Sequence, residues 1–179
     1  MSEMITPYTI SVAALTISLV SILFQQIRWR ESNRPIVSAY ICDAKEVRAD
    51  SKVDFFNLVL INSGPIPASN IRLQVQESDL NKIFSDDITE PEKELVKVCF
   101  DEESNVALLL NGEKAETYFG RSEHIGSEKC RGLEYDAWLP VKITYYDLNK
   151  HKYKTEIKLK IRDSYGFGGA VLKITKQPS

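Results

Sequence analysis

The hydrophobic pattern of the chain begins with one long stretch that is apolar on every side of a helix. No charged residue occurs between Glu3 and Arg28, and Tyr8 to Ile27 makes 20 residues. At about 1.5 Å of rise per residue, a helix of that length spans about 30 Å, which is the hydrocarbon thickness of a bilayer. The pattern therefore predicts a transmembrane helix over residues 8–27.

Two other interpretations of this stretch make demands that its flanks do not meet. A secretory signal peptide needs a basic start and a cleavage site of small residues, whereas this chain starts Met-Ser-Glu and the stretch ends Gln-Gln-Ile-Arg-Trp-Arg. A buried core helix needs a polar face, but from Thr9 to Phe24 the polar residues are Ser and Thr, which can bond to their own helix carbonyls. A retained membrane span is the interpretation that fits.

The residues at the two ends of the span predict how it sits in a membrane. Tyr8 and Trp29 mark the headgroup levels, and Arg28, Arg30 and Arg34 follow the span while no Lys or Arg precedes it. Because positive residues stay on the cytosolic side, we expect an inner-membrane, single-pass protein with its N-terminus outside and its C-terminal domain in the cytosol. The expected order is an extracytoplasmic segment 1–7, the helix 8–27, a basic linker 28–35, a β-sandwich domain 36–176 and a tail 177–179.

Small residues recur along the predicted span at intervals of three and four. Ser11, Ala14, Ser18 and Ser21 share one side of a helix, and Ala14 with Ser18 forms a small-xxx-small pair. Such a face lets two helices approach closely, so a homo-oligomer formed through the helix is one possibility. Ser and Ala are also common in membrane spans that do not associate.

After the linker the pattern changes to the alternation typical of β-strands. From Tyr153 to Arg162 apolar and charged residues alternate strictly, and the same alternation runs from Val141 to Tyr146. The connector 147–151 has the length and polarity of a hairpin loop, which predicts that these two strands pair. Further strands are predicted at 36–42, 55–62, 71–75, 96–100, 106–110, 115–119 and 170–175.

Turn residues separate these strands. The segment 62–68, Asn-Ser-Gly-Pro-Ile-Pro-Ala, predicts a chain reversal, and Asn111–Gly112 predicts a hairpin between the strands on either side. Residues 78–94 are expected to form either a short helix or an acidic loop, and the pattern favours a loop with a helical turn. Many short strands without a long amphipathic helix predict an all-β fold, an antiparallel immunoglobulin-like sandwich or a small barrel, after one transmembrane helix.

Three of these features together resemble a group of small bacterial single-pass membrane proteins of unknown role. The features are Arg34–Pro35 before the first strand, the turn 62–68, and Tyr145–Asp147 with Tyr153 across the late hairpin. The resemblance implies a cytoplasmic immunoglobulin-like β-domain behind the anchor. It transfers no catalytic residue, since folds of this type carry many unrelated functions.

The residues that usually carry chemistry are sparse. Cys42, Cys99 and Cys130 are odd in number and form no CxxC pair, and His124 and His151 lie in polar surroundings without metal-ligand spacing. Cys130, which has a basic residue on each side, is the one thiol with a setting that favours reactivity. We therefore expect no enzyme, no catalytic residue, no metal and no cofactor.

Charge is balanced overall but polarised along the chain. The totals of 23 basic and 25 acidic residues give a net charge of −2, which argues against nucleic acid as a partner. Segment 77–103 carries ten acidic residues and three lysines, a net of −7, whereas 142–176 carries nine basic and three acidic residues, a net of +6. The basic residues of the last alternating strand share one face: Lys152, Lys154, Lys158, Lys160 and Arg162.

This basic face has two interpretations. Lysines on a solvated strand or sheet edge discourage aggregation. Alternatively, the face meets an anionic surface, either lipid headgroups or an acidic protein.

The sequence supports three hypotheses of function in decreasing order. The first is a membrane-anchored, non-enzymatic interaction module that engages an unknown protein partner through its loops or an open sheet edge. The second is a membrane effector whose β-domain senses a small molecule and whose helix self-associates. The third is an enzyme, for which the sequence shows no acid, base or metal constellation.

Overall fold

A helix and a β-rich region follow one another in the computed structural model, which describes residues 7–44, 53–125 and 129–161. The helices are α1 (Pro7–Ser32), α2 (Glu77–Leu80) and α3 (Glu90–Val98), with a 3-10 turn over Asn81–Ile83. The strands are β1 (Val37–Asp43), β2 (Val53–Asn62), β3 (Ala68–Gln74), β4 (Asn105–Leu109), β5 (Lys114–Ile125), β6 (Lys129–Gly132), β7 (Trp138–Tyr146) and β8 (Lys152–Lys160). The chain divides into two compact units, Met1–Arg34 and Pro35–Ser179.

The first unit contains α1, which is long and apolar enough to cross a membrane. Its hydroxyls are satisfied within the helix: Thr16, Ser18 and Ser21 each donate to the carbonyl four residues earlier, at 2.8–2.9 Å. These hydrogen bonds remove the cost of polar side chains in an apolar surrounding, as the sequence predicts. The helix continues past residue 27 and ends at Ser32.

The second unit is mostly β and contains two antiparallel sheets of four strands each. The first sheet has the order β1-β2-β5-β6 and the second the order β4-β3-β7-β8. Inward-facing apolar residues of both sheets form one core, with Phe56, Phe119 and Ile143 at 1% exposure or less. A mostly β fold of two antiparallel sheets after an N-terminal apolar helix is thus confirmed.

The late hairpin of β7 and β8 is as predicted. Tyr146 lies opposite Lys152, and the pairing continues without a shift to Trp138 opposite Lys160. The apolar positions of β8 face inward, with Leu159 at 1% exposure, while Lys154 and Lys158 face solvent.

Asn62 organises the turn that the prolines predict at 62–68. It is fully buried, and its amide nitrogen donates to the carbonyls of Ile66 at 2.8 Å and Leu109 at 3.1 Å. Its side-chain oxygen accepts from the backbone N–H of Gly64 at 3.0 Å and of Ile36 at 3.2 Å. One satisfied amide therefore joins the ends of β1, β2 and β4, where an apolar side chain would leave these groups unpaired.

The strand predicted at 96–100 is wrong. Residues 96–100 form the end of α3 and the following turn instead, because α3 starts with a capping box, in which Thr89 and Glu92 satisfy each other's backbone, and a proline in its first turn. In segment 78–94 the structure has α2, the 3-10 turn and the start of α3, so the favoured loop is wrong in part and the alternative of a short helix is correct in part. The strand predicted at 170–175 lies outside the described residues.

The hairpin predicted at Asn111–Gly112 is also wrong. The chain does turn there, with Gly112 at φ +75°, but β4 and β5 belong to different sheets. The Gly112 N–H donates to the carbonyl of Asn62 at 2.8 Å, so the turn is fixed to β2. A turn motif predicts a reversal and does not determine whether the flanking strands pair.

Candidate interaction surfaces

An apolar cleft of about 420 Å³ opens where β4 and β5 diverge into the two sheets. Its floor is made by inward-facing core residues of both sheets, including Leu58 and Leu73. Its rim includes Leu95 and Val98 of α3, which are 53% and 51% exposed, and Val106 of β4. The cleft thus connects the core to an exposed apolar rim.

Strand β4 borders this cleft and is an edge of its sheet. Among the described residues it pairs with β3 alone. Its sequence, Asn-Val-Ala-Leu-Leu, has no charge, and Leu108 is 48% exposed. Edge strands are usually protected by charge, as the lysines of β8 protect the opposite edge of the same sheet. β4 lacks that protection.

Helix α3 is held beside the cleft by Glu92. The Glu92 carboxylate accepts from the Thr89 backbone at 3.0 Å and from the Thr89 hydroxyl at 2.8 Å. It also accepts from Arg121 of β5, at 2.7 Å from Nε. Partial burial raises the pKa of Glu92, but the hydrogen bonds from Thr89 and Arg121 outweigh it, so the pKa lies below the usual value.

Cys99 lines the cleft. Burial raises the pKa of its thiol to about 11, so the thiol is protonated at neutral pH. Its sulfur lies 3.6 Å from the carbonyl oxygen of Tyr118. Cys99 also packs against the hydrophobic core.

The surroundings of the cleft are acidic. The segment 77–103, with its net charge of −7, forms α2, α3 and the turn that leads into β4. Two of its lysines are neutralised on α3, where Lys93 pairs with Glu90 at 2.8 Å and Lys97 with Glu94 at 2.9 Å. The carboxylates of Asp101, Glu102 and Glu103 stand in the exposed turn next to β4.

The outer face of the second sheet carries the lysines predicted on β8 together with residues of β7 and β3. We name this surface the basic face. Cross-strand pairing places them in rows, such as Lys154 with Thr144 and Arg72, and Lys158 with Pro140. The cations of the described part of this face are Arg72, Lys142, Lys152, Lys154, Lys158 and Lys160, with Glu156 as the acid of the same rows. Arg162 lies outside the described residues.

Aromatic rings stand at both ends of the basic face. The Lys160 ammonium lies 5.4 Å from the ring centre of Trp138, which is 54% exposed, and also pairs with Asp136 at 2.5 Å. At the other end, the Lys152 ammonium lies 5.9 Å from the ring of Tyr146. Sequence reasoning predicted the β8 lysines but not the partner residues on β7, because register is a tertiary property.

Near Tyr146, the hairpin loop contains a cluster of which the sequence resemblance named Tyr145, Asp147 and Tyr153 but not His151. Asp147 is 5% exposed and accepts from the backbone and from Nδ1 of His151, both at 2.9 Å, and from the Tyr153 hydroxyl at 3.2 Å. Burial raises the pKa of Asp147, but these hydrogen bonds outweigh it and the pKa lies below the usual value. Tyr145 stacks on Tyr153 with ring centres 5.6 Å apart. These contacts of Asp147 with His151 and Tyr153 join the two ends of the hairpin loop.

The other predicted positions lie where the sequence places them on α1. Ser11, Ala14, Ser18 and Ser21 are exposed along the helix, Tyr8 and Trp29 stand 83% and 66% exposed near its ends, and Arg28 and Arg30 lie in its last turns. The side chains of His124 and Cys130 lie outside those the structure describes. Within the described residues there is no group of three potential metal ligands.

A family described as a domain of unknown function (DUF8453) matches residues 3–164. The chain belongs to this family. The DUF8453 match covers α1 and all the strands from β1 to β8. The cleft, β4 and the described basic face all lie inside it. No curated protein matches the chain.

Proposed function

We propose that this DUF8453 protein is a membrane-anchored, non-enzymatic interaction module that binds an extended, basic and apolar segment of a partner protein along β4. The observation that carries the proposal is an uncharged edge strand beside an apolar cleft. An added strand would gain main-chain hydrogen bonds from the edge, and its alternate apolar side chains would enter the cleft. The acidic turn before β4 favours a partner with positive charge.

The proposed placement follows from α1 and its flanks. The helix is held in the inner membrane, with the arginines after it at the cytosolic side and the β-region, an immunoglobulin-like sandwich, in the cytosol. The resemblance to small bacterial single-pass proteins supports this architecture. Cysteines placed at Ser2 and Ser179 in a chain whose native cysteines are replaced by serine test the topology on intact cells; labelling of the C-terminal probe from outside would contradict it.

A matched peptide series tests the binding proposal. The full chain is reconstituted in nanodiscs of neutral lipid, and fluorescence anisotropy measures binding of a nine-residue peptide that alternates Val and Lys. Control peptides replace every Val by Ser, or every Lys by Glu. We expect the Val–Lys peptide to bind most tightly, because the two controls each lack one half of the proposed complementarity.

Substitutions locate the binding site. Leu108→Lys puts a charge on the exposed edge and Leu95→Lys one at the rim of the cleft, and each is expected to weaken the Val–Lys peptide at least ~10-fold, since one apolar side chain left unburied costs about 1.5–3 kcal/mol. Leu148→Lys makes the same change at a residue that is 65% exposed on the β7–β8 hairpin, and serves as the control. Equal binding by all three variants would overturn the proposal.

A second candidate function is binding of a small apolar molecule, with the helix face of Ser11, Ala14, Ser18 and Ser21 mediating self-association in response. The size of the cleft favours it, since about 420 Å³ lies in the range of small-molecule pockets. A dye such as anilinonaphthalene sulfonate distinguishes the two. A small molecule that fills the cleft is sensitive to Leu95→Lys and insensitive to Leu108→Lys, whereas an added strand is sensitive to both.

A further inference from the structure

We propose that the basic face binds the anionic leaflet of the same membrane that holds α1. The face combines cations and aromatic rings within one sheet, and its exposed lysines lie on β8, at the edge opposite β4. The proposal rests on the membrane anchorage proposed above and adds a second contact between protein and lipid.

The charge of the face is local. The whole chain is slightly negative, yet the described rows of β3, β7 and β8 hold the six cations named above against Glu156, with Lys160 also paired to Asp136. Lys152, Lys154 and Lys158 are exposed, so their ammonium groups are free to reach headgroup phosphates and carboxylates. The outer face of the other sheet has no such excess in its described part: its Asn57 bonds Glu116 at 2.6 Å and its Lys114 lies over Tyr40.

The aromatic rings favour a lipid surface over an acidic protein. Trp and Tyr concentrate at the headgroup level of membranes, where the ring is embedded and the polar edge stays wet. Trp138 and Tyr146 are eight residues apart on β7, about 27 Å at the usual strand rise, so the two rings bracket the lysines. A row of lysines with an aromatic ring near each end combines the two residue types that favour an anionic bilayer surface.

The tether keeps the contact within reach. Residues 33–36 join the end of α1 to the start of β1, and four residues extend at most about 14 Å. The potential of an anionic leaflet decays over about 8 Å at physiological ionic strength, and a connection this short allows the domain to approach the leaflet to within that distance. Tethering also raises the effective concentration of the face at the lipid.

Trp138 provides the readout, because the chain contains only two tryptophans. In a Trp29→Phe chain, Trp138 is the sole tryptophan, and its quenching by headgroup spin-labelled phosphatidylcholine reports contact with the membrane. We compare proteoliposomes of phosphatidylcholine alone with others containing phosphatidylserine. We expect strong quenching with phosphatidylserine, and a return to the neutral-lipid level in 1 M salt, where charges are screened beyond about 3 Å.

Two charge-matched variants complete the experiment. Lys152→Gln/Lys154→Gln/Lys158→Gln is expected to abolish the phosphatidylserine-dependent quenching, since each lysine near such a surface is worth about fivefold in partition and three together about 100-fold. Lys82→Gln/Lys93→Gln/Lys97→Gln removes the same charge from the acidic segment and should leave the quenching unchanged.

The outcomes separate this proposal from the ones on which it depends. Equal quenching with neutral and anionic lipid, or quenching that survives the triple variant on the basic face, would overturn it. Binding of poly-glutamate to the basic face without any quenching would also overturn it and would identify an acidic protein as the partner. The membrane anchorage is tested separately by flotation, because a chain without its anchor would not float with neutral vesicles. The β4 proposal is tested separately by binding of the Val–Lys peptide.

Discussion

The attachment of α3 beside the cleft depends on the carboxylate of Glu92, which caps the helix and binds Arg121. Two substitutions of Glu92 distinguish these interactions. Glu92→Gln keeps the capping box, because Gln can accept from the Thr89 backbone, but removes the negative charge that Arg121 binds. Glu92→Ala removes both interactions. A helix of nine residues is marginal by itself in water, so we expect the loss to appear as local opening of α3.

The magnitude follows from the exposure of each group. Loss of the cap costs about 1 kcal/mol. The Arg121 side chain is 39% exposed, so its ion pair is partly screened and we assign it about 1 kcal/mol. We therefore expect opening of α3 to increase about 5-fold in Glu92→Gln and about 30-fold in Glu92→Ala, at RT of about 0.59 kcal/mol.

Amide hydrogen exchange of residues 93–98 measures this opening. Glu94→Gln is the control, since Glu94 is 63% exposed and pairs only with Lys97 in the described structure. The pKa of Glu92 is lowered in the folded protein, so its stabilisation is complete above the ordinary carboxyl pKa and is lost as pH falls through the folded value. The wild type should lose α3 protection on acidification, and Glu92→Gln should not show this loss. Wild-type protection in Glu92→Ala would refute the reasoning.

Three further predictions concern the β-region. Gly132→Ala should destabilise the chain by about 3 kcal/mol or more in urea unfolding, because φ is +104° and the new Cβ would lie 2.3 Å from a β5 carbonyl oxygen, whereas Gly112→Ala has open space and should cost about 1 kcal/mol from its φ alone. Asp147→Asn should lower the melting temperature at pH 7 and flatten its dependence on acid, since the depressed pKa of Asp147 stabilises the fold above that pKa; an unchanged acid profile would contradict the role of the His151 contact. Cys99 should react with iodoacetamide far more slowly at pH 7 than a free thiol with an ordinary pKa, and mass spectrometry of the digested chain measures the rate; rapid alkylation would contradict the burial.

The sequence predicted those elements whose signal is local and periodic. α1 is uniformly apolar, and β7 and β8 alternate without interruption, so neither depends on the rest of the fold. The strand predicted at 96–100 failed for the opposite reason. Its apolar residues also suit one turn of a helix, and the capping box at Thr89 and Glu92 decides between the two.

The candidate sites likewise divide into those with a local signal in the sequence and those that depend on tertiary structure. The lysines of β8 were predicted because alternate residues of a strand share a face. The cleft was not, since it exists only because β4 and β5 join different sheets, a tertiary choice that the Asn111–Gly112 turn does not encode. The resemblance singled out Tyr145, Asp147 and Tyr153, but the contact of Asp147 with His151 was not predicted, because an Asp followed by a His four residues later has no distinctive local signal.

The central claim is that a partner strand adds to β4, and amide exchange of the full chain in nanodiscs tests it most directly. With saturating Val–Lys peptide, the account predicts that amides of Asn105–Leu109 gain protection from exchange while those of the lysine-rich edge β8 do not change. Protection that stays constant along β4 and rises at loops or at another strand would contradict it.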